Sequence, residues 1–265
     1  MKFVKIPYTM HSIFTSFDNT TSLTTICQKP DRIRMLEVEA IQIARGAGLS
    51  YAPASFGKDV LVRDLSSFNR ILEFDREQKT VVVEAGITLK KLLEWSFNER
   101  LYFPVMPGFP DITIGGCIAA NVHGKNPLKD GTCKDHLAWL EIYHPKTGFQ
   151  KIKPNSEIFD ATCGGLGLTG LITKVKLQLS YLPSDRIKIE SKKANSLKDA
   201  IQILQENKNA DIAYSWHNGS TLSNFEKGVV RIGMFEEDYK IKKSIFPKKT
   251  VNLMKTKIPS SIWVK

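Results

Sequence analysis

The chain has 265 residues, 42% of them hydrophobic, and a formal net charge of +11. That apolar content supports a packed core and excludes a disordered chain, and the length holds one large domain or one domain with part of another. The charge points to anionic partners, whether a phosphorylated substrate, a membrane surface or nucleic acid, without choosing among them.

The cysteines, Cys27, Cys117, Cys133 and Cys163, lie far apart with no CxxC or Cys/His ligand spacing. Neither a metal site nor a disulfide framework is expected, and a reducing cytoplasm fits. The start, MKFVKIPYTMH, places Lys5 and Pro7 where a secretory signal needs an apolar core, and no run approaches the roughly 20 apolar residues of a membrane span. A soluble, at most peripheral, protein is the expectation.

Short apolar or alternating runs predict strands at 40–44, 60–64, 80–84, 137–143 and 171–179. In the last, Lys174, Lys176 and Gln178 alternate with Val175, Leu177 and Leu179, so one face is buried and the other wet. A helix is predicted over 89–99, capped by Thr88, with Leu89, Leu92, Leu93 and Phe97 on one side. Near Pro183 the glycine-rich loops stop and lysine becomes frequent, which marks a boundary between domains 1–183 and 184–265. Beyond it a helix over 197–206 and strands over 212–217 and 229–235 begin a second sheet, followed by a basic run over 240–265. This is an α+β pattern.

Three glycine-rich segments stand out. The first, RGAGLSY, runs from Arg45 to Tyr51. It is not a dinucleotide GxGxxG fingerprint, because Tyr51 takes the third glycine position and Pro53 obstructs the following helix. Its backbone N–H groups can instead form an anion-binding concavity, with Arg45 adding charge and Ser50 a hydroxyl, or it is an ordinary tight turn. The second, PGFPDITIGGCIAANVHGKN, runs from Pro107 to Asn126. Pro107-Gly108 and Gly115-Gly116 break any long helix, and Ala119, Ala120 and Gly124 lack bulk, so this loop-like run allows a planar ligand close to the main chain. Thr113, Asn121 and Asn126 offer polar contacts; His123 is either structural or lines a reacting centre. The third, GGLGLTG, runs from Gly164 to Gly170.

Bland readings hold elsewhere. Asp135 and His136 are adjacent and need not face each other, Cys117 and Cys163 read as small buried residues, and Trp216 on a short strand reads as core. The basic 240–265 run reads as a solvated lysine face, with an anionic membrane as the alternative.

In order and spacing, RGAGLSY, the TIGG and HGKN segments and GGLGLTGLI resemble the FAD-binding domain of the vanillyl-alcohol oxidase and p-cresol methylhydroxylase superfamily. HGKN followed by Asp130-Gly131 and His136 is most similar to the decaprenylphosphoryl-ribose oxidase branch, alongside sugar-lactone oxidases. The resemblance covers roughly 24–182. It implies a two-subdomain FAD-binding domain of the p-cresol methylhydroxylase type followed by an incomplete α+β substrate (cap) domain, since family enzymes continue past the last residue of this sequence.

It also implies residue roles. Arg45, Gly46, Ala47, Gly48, Ser50 and Tyr51 would hold the pyrophosphate; Pro107, Gly108, Thr113, Ile114, Gly115, Gly116, Ala119, Asn121, His123, Gly124, Lys125 and Asn126 would line phosphates and flavin; Gly167, Gly170, Leu171 and Ile172 would lie near the cofactor's other side. His123 would be catalytic. Relatives with covalent FAD carry histidine where Leu49 stands, so noncovalent FAD is implied. The implied chemistry is oxidation of a secondary alcohol on a sugar or lipid-linked sugar phosphate by hydride transfer to flavin, with an unidentified electron acceptor; a noncatalytic flavin-binding fragment is the alternative. Nucleic-acid binding has only charge behind it.

Overall fold

A computed structural model describes residues 9–217 and 227–236 of the chain. The basic run over 240–265 lies outside the described residues. In chain order the elements are β1 (Met10–Thr15), β2 (Ser22–Gln28), β3 (Gln42–Arg45), β4 (Leu61–Asp64), β5 (Ile71–Asp75), β6 (Thr80–Glu84), α1 (Leu89–Asn98) and β7 (Leu101–Tyr102). Then follow α2 (Ile114–Ala119), α3 (Pro127–Asp130), β8 (Leu137–His144), β9 (Gly148–Ile152), α4 (Glu157–Thr162), β10 (Leu171–Gln178) and β11 (Ser180–Tyr181). The last are β12 (Ile187–Ala194), α5 (Leu197–Glu206), β13 (Ile212–His217) and β14 (Gly228–Phe235). The fold is α+β, as the sequence pattern implies.

The chain divides into two compact units, the first comprising Met1–Leu93, Phe103–His123 and Thr132–Ser180. It contains two sheets. One has the order β1-β2-β4-β3, an antiparallel β1/β2 hairpin joined to β4, which runs parallel to both β2 and β3. The other is the antiparallel sheet β5-β6-β10-β8-β9. In β10 Val175 and Leu177 are buried while Lys174 and Lys176 are half-exposed, so the alternation seen in the sequence fixes which face meets the core. Leu36, Leu65 and Phe68 pack with Tyr143 and Leu171 of the larger sheet, with Ala44 of β3 against them. Burying each such large apolar side chain contributes roughly 1.5–3 kcal/mol.

Helix α1 starts as expected, Thr88 Oγ1 accepting from the Lys91 N–H at 3.2 Å, with Leu89, Leu92 and Leu93 buried. The run around Gly115-Gly116 is more ordered than a loop-like reading allows, because α2 forms across the glycine pair. The Thr113 hydroxyl caps it by accepting from the Gly116 N–H at 3.2 Å, and the Ile114 and Gly115 N–H groups donate to Ile87 and Ala85 carbonyls at 2.8 and 2.7 Å. Tertiary hydrogen bonds override the low helix propensity of glycine. The helix ends in a Schellman arrangement: Asn121 has φ 42, its N–H bonds Ile118 O, and the Val122 N–H bonds Cys117 O, both at 2.9 Å.

The second unit comprises Glu94–Tyr102, Gly124–Gly131 and Tyr181–Lys265. Its sheet is antiparallel, in the order β12-β14-β13. Helix α5 begins at Ser196, whose hydroxyl accepts from the Asp199 N–H at 3.0 Å, and brings Ala200, Ile203 and Leu204 against Ala194, Ala213, Val230 and Ile232. Ala213 faces the helix, so strand alternation turns Tyr214 and Trp216 to the opposite face, and Trp216 is 72% exposed. The core reading of Trp216 is thereby corrected: an aromatic on a strand is core only on the covered face. β12, Ile-Lys-Ile-Glu-Ser-Lys-Lys-Ala, forms without an alternating apolar pattern because its two long-range neighbours come from pairing and from α5 rather than from its own sequence.

Candidate functional site

The three glycine segments meet in the first unit around α2. β3 delivers the chain into the Arg45–Tyr51 loop beside Thr113: a Cβ built on Gly46 would collide with the Thr113 hydroxyl and stand 3.1 Å from its Cβ and Cγ2. The third segment reaches the same helix from the other side, the Gly164 N–H donating to Ile118 O at 3.0 Å and the Leu166 N–H to Ala119 O at 2.8 Å. Gly167, at φ +83, lies against β3, where an added Cβ would be 3.4 Å from Ile43 Cδ1. Gly46 thus lets the main chain of the first loop lie against the Thr113 side chain, while Gly167 is favoured by its positive φ.

The segments offer a ligand different things. Among the described residues, the Ala47, Gly48 and Leu49 N–H groups donate no hydrogen bond, and Gly48 sits at φ +71, so this loop presents free backbone donors suited to an anion. The first N–H groups of α2 are used inside the unit, on Ile87, Ala85 and Thr113. What α2 presents outward is a strip of little bulk: Gly116 and Ala120 are exposed and Ala119 is half-buried, with exposed His123 just past the helix end. Free amides beside a bare backbone surface fit a dinucleotide carrying a pyrophosphate and a flat ring.

Other expected site residues have definite places. The Arg45 guanidinium donates to Ser55 Oγ at 2.8 Å and lies 4.5 Å over the Phe14 ring and 5.8 Å from that of Phe56; burial lowers its pKa. Ser50 is exposed and its carbonyl accepts from the Phe17 N–H at 3.1 Å. Tyr51 is exposed, edge-on to Phe17 at 5.4 Å, and Phe17, which lies outside the glycine segments, is in turn 6.5 Å from Phe109 of the second segment. Pro107 is half-buried and Gly108 exposed, in the loop before α2. Ile114, Leu171 and Ile172 are buried, Leu171 in the joint between the two sheets. A Cβ on Gly170, at φ +143, would press 2.7 Å from Tyr143 O.

The HGKN tetrad divides. His123 belongs to the first unit, whereas Gly124, Lys125 and Asn126 belong to the second. There Asn126 is fully buried, its Nδ2 donating to Lys208 O at 3.0 Å and Ala210 O at 2.5 Å, while its Oδ1 has no partner among the described residues. The Lys125 carbonyl accepts from the Ala213 N–H at 2.9 Å; its ammonium lies 4.7 Å from the Tyr214 ring centre, and burial lowers its pKa. Lys129 pairs with Asp211 at 2.5 Å.

Asp135 and His136 each have a neighbour of their own. Asp135 Oδ2 accepts from the Thr132 N–H at 2.8 Å and hydroxyl at 3.0 Å, and the His136 ring stands edge-on to Phe103 at 5.8 Å. The sequence signal for this turn was Thr-Cys-Lys-Asp, a Thr-x-x-acid capping pattern. All four cysteines are buried and free. Among the described residues no helix is long and apolar enough to cross a membrane.

An FAD binding domain family model matches residues 33–151. Decaprenylphosphoryl-beta-D-ribose oxidase of Mycolicibacterium smegmatis is 31% identical over 65% of this chain and 38% of its own length. D-lactate dehydrogenase of Anaerostipes hadrus is 28% identical over 54% of this chain and 31% of its own length, and L-gulonolactone oxidase 3 of Arabidopsis thaliana 28% identical over 46% of this chain and 23% of its own. The chain thus spans well under half the length of these curated relatives. Among solved structures, an alkyldihydroxyacetonephosphate synthase has the same fold with a TM-score of 0.70 at 15% identity, covering 88% of this chain and 54% of its own. The range that matches the FAD binding domain model, residues 33–151, contains the first two glycine segments.

Proposed function

We propose that this chain is part of an FAD-dependent oxidoreductase that oxidises a secondary alcohol of a sugar or sugar phosphate, with FAD held noncovalently. The observation that carries the reading is the meeting of three glycine segments around α2, within a chain whose residues 33–151 match the FAD binding domain. Bound FAD supplies a two-electron acceptor that takes a hydride. In this reading the Ala47, Gly48 and Leu49 amides hold the pyrophosphate, the Gly116, Ala119 and Ala120 strip backs the ring, and His123 hydrogen-bonds the substrate hydroxyl and receives its proton as the C–H bond breaks. In the same reading residues 1–183 form the FAD-binding part and 184–265 belong to a substrate domain.

Two relatives named for a ribose and a lactone support the sugar class; the lactate dehydrogenases make a small hydroxy acid the rival. The net charge of +11 suits a phosphorylated or lipid-linked sugar at the inner face of a membrane, with a separate electron acceptor completing turnover. The test is the visible spectrum of the purified chain, before and after acid precipitation, followed by anaerobic mixing with a pentose phosphate, a sugar lactone and D-lactate. Flavin released by acid and bleached by a sugar is expected. Bleaching by D-lactate alone would overturn the substrate class, flavin unbleached by all three would favour a noncatalytic binding fragment, and a protein colourless after incubation with FAD would overturn the reading.

A further inference from the structure

The turn after the 124–131 segment is built on Thr132. Its N–H and hydroxyl both donate to Asp135 Oδ2, at 2.8 and 3.0 Å. Thr132 also pairs with His123 in an isolated antiparallel bridge. Beside this bridge the Cys133 N–H donates to Val122 O at 2.9 Å and the Lys134 N–H to Asn121 Oδ1 at 3.1 Å. The segment carrying His123 is therefore zipped to the segment carrying Thr132 and Asp135. In an antiparallel pair, directly opposed residues hold their Cβ atoms roughly 4.5–5.5 Å apart on the same side. The side chains of His123 and Thr132 are consequently neighbours, and Thr132 cannot rotate about χ1 without breaking its bond to Asp135. The acceptor is charged: the Thr132 N–H, ahead of the hydroxyl and neighbouring cations, holds the Asp135 carboxyl below the usual carboxylate range, and such charge-assisted bonds are about twice as strong as neutral ones.

We infer that Thr132 and Asp135 are positioning residues for the His123 imidazole: the carboxylate locks Thr132, and Thr132 fixes the direction in which His123 leaves the end of α2. Only the catalytic meaning of this arrangement rests on the reading of His123 under Proposed function; the positioning itself rests on the hydrogen bonds and the bridge.

The first test is NMR of the histidine Cε1–H groups in the full chain, with His123 assigned by His123→Gln. Asp135→Ala should displace and broaden the His123 resonance, while Asp135→Asn, which keeps an acceptor for the Thr132 donors, should restore it. Thr132→Val, which keeps the shape and loses only the hydroxyl, should give an intermediate displacement; it decides the matter if Asp135→Ala collapses the distant His11 and His144 signals as well. A His123 resonance unmoved in Asp135→Ala or in Thr132→Val, or still displaced in Asp135→Asn, would overturn the inference.

The second test uses the FAD-loaded chain and sulfite, which bleaches flavin reversibly. His123→Ala and Asp135→Ala should each weaken sulfite binding about tenfold, and the double variant no more than either alone, since positioning acts through one side chain. Additive losses would overturn the positioning role. An unchanged sulfite Kd in His123→Ala, with the NMR result intact, would instead remove His123 from the active site and leave the positioning standing.

Discussion

Replacing Gly46 by alanine tests the claim that the main chain of the first glycine loop lies against the Thr113 side chain at the start of α2. The added Cβ falls on the Thr113 hydroxyl and 3.1 Å from its Cβ and Cγ2, and Thr113 is only 4% exposed, so it cannot swing into solvent. If Thr113 yields, the cap on the Gly116 N–H is lost, at about 1 kcal/mol. Overpacking adds roughly 1–3 kcal/mol. Against this, alanine restricts the unfolded chain and returns about 0.4–1 kcal/mol. The net expectation is a destabilisation of about 1–3 kcal/mol, read as a fall in the urea midpoint at unchanged slope. Thr113→Ala alone should cost about 1 kcal/mol, and in its background Gly46→Ala should cost clearly less than in the parent, because the hydroxyl and Cγ2 in the way are gone. A parent-like midpoint for Gly46→Ala, or strictly additive costs in the double variant, would refute the argument.

Three further outcomes follow from the same geometry. Gly116→Val places a branched side chain on the exposed strip of α2, where the nearest atom to a new Cβ is Thr113 Oγ1 at 3.1 Å; stability should change by about 1 kcal/mol or less while flavin retention is lost, and full flavin content after desalting would remove that strip from the cofactor surface. Asn126→Ala strands the Lys208 and Ala210 carbonyls and should cost about 1–3 kcal/mol, with hydrogen exchange accelerating in β13; unchanged protection there would show that these bonds contribute nothing. The Tyr102 hydroxyl is pushed up to about 12, first by burial and then by Asp130 and Asp211. Its folded pKa lies above the unfolded value of about 10, so its contribution is complete below pH 10 and is lost as pH rises toward 12. Tyr102→Phe should therefore show a flatter loss of stability between pH 10 and pH 12 than the parent, and parallel curves would contradict the assignment.

How much was legible differs by kind of feature. Elements with their own apolar period were readable: β10 from its lysines alternating with valine and leucine, α1 from Leu89, Leu92 and Leu93 behind a threonine cap, α5 and β13 likewise. β1, β2, β5, β9 and β12 were not, because these strands sit at or near sheet edges or expose much of their length, and their sequences carry little periodic hydrophobicity. α2 escaped a local reading for a related reason, since what sustains it comes from Ile87, Ala85 and the Thr113 cap.

By itself the sequence determined the α+β pattern and the resemblance to an FAD binding domain. The three glycine-rich segments of distinct spacing resemble those of an FAD binding domain, and the first two lie within residues 33–151, which match that family's model; glycine matters there because it has no Cβ to hold a neighbouring group away from its main chain. Only the tertiary structure decided what each motif residue does: that Arg45 is spent on Ser55 and two phenylalanines, that the first amides of α2 are already bonded, that Asn126 is bonded within the second unit, and that Thr132 and Asp135 stand behind His123. Hydrogen bonds and side-chain contacts join residues that are distant along the chain, and local sequence carries no record of which partner each donor will find.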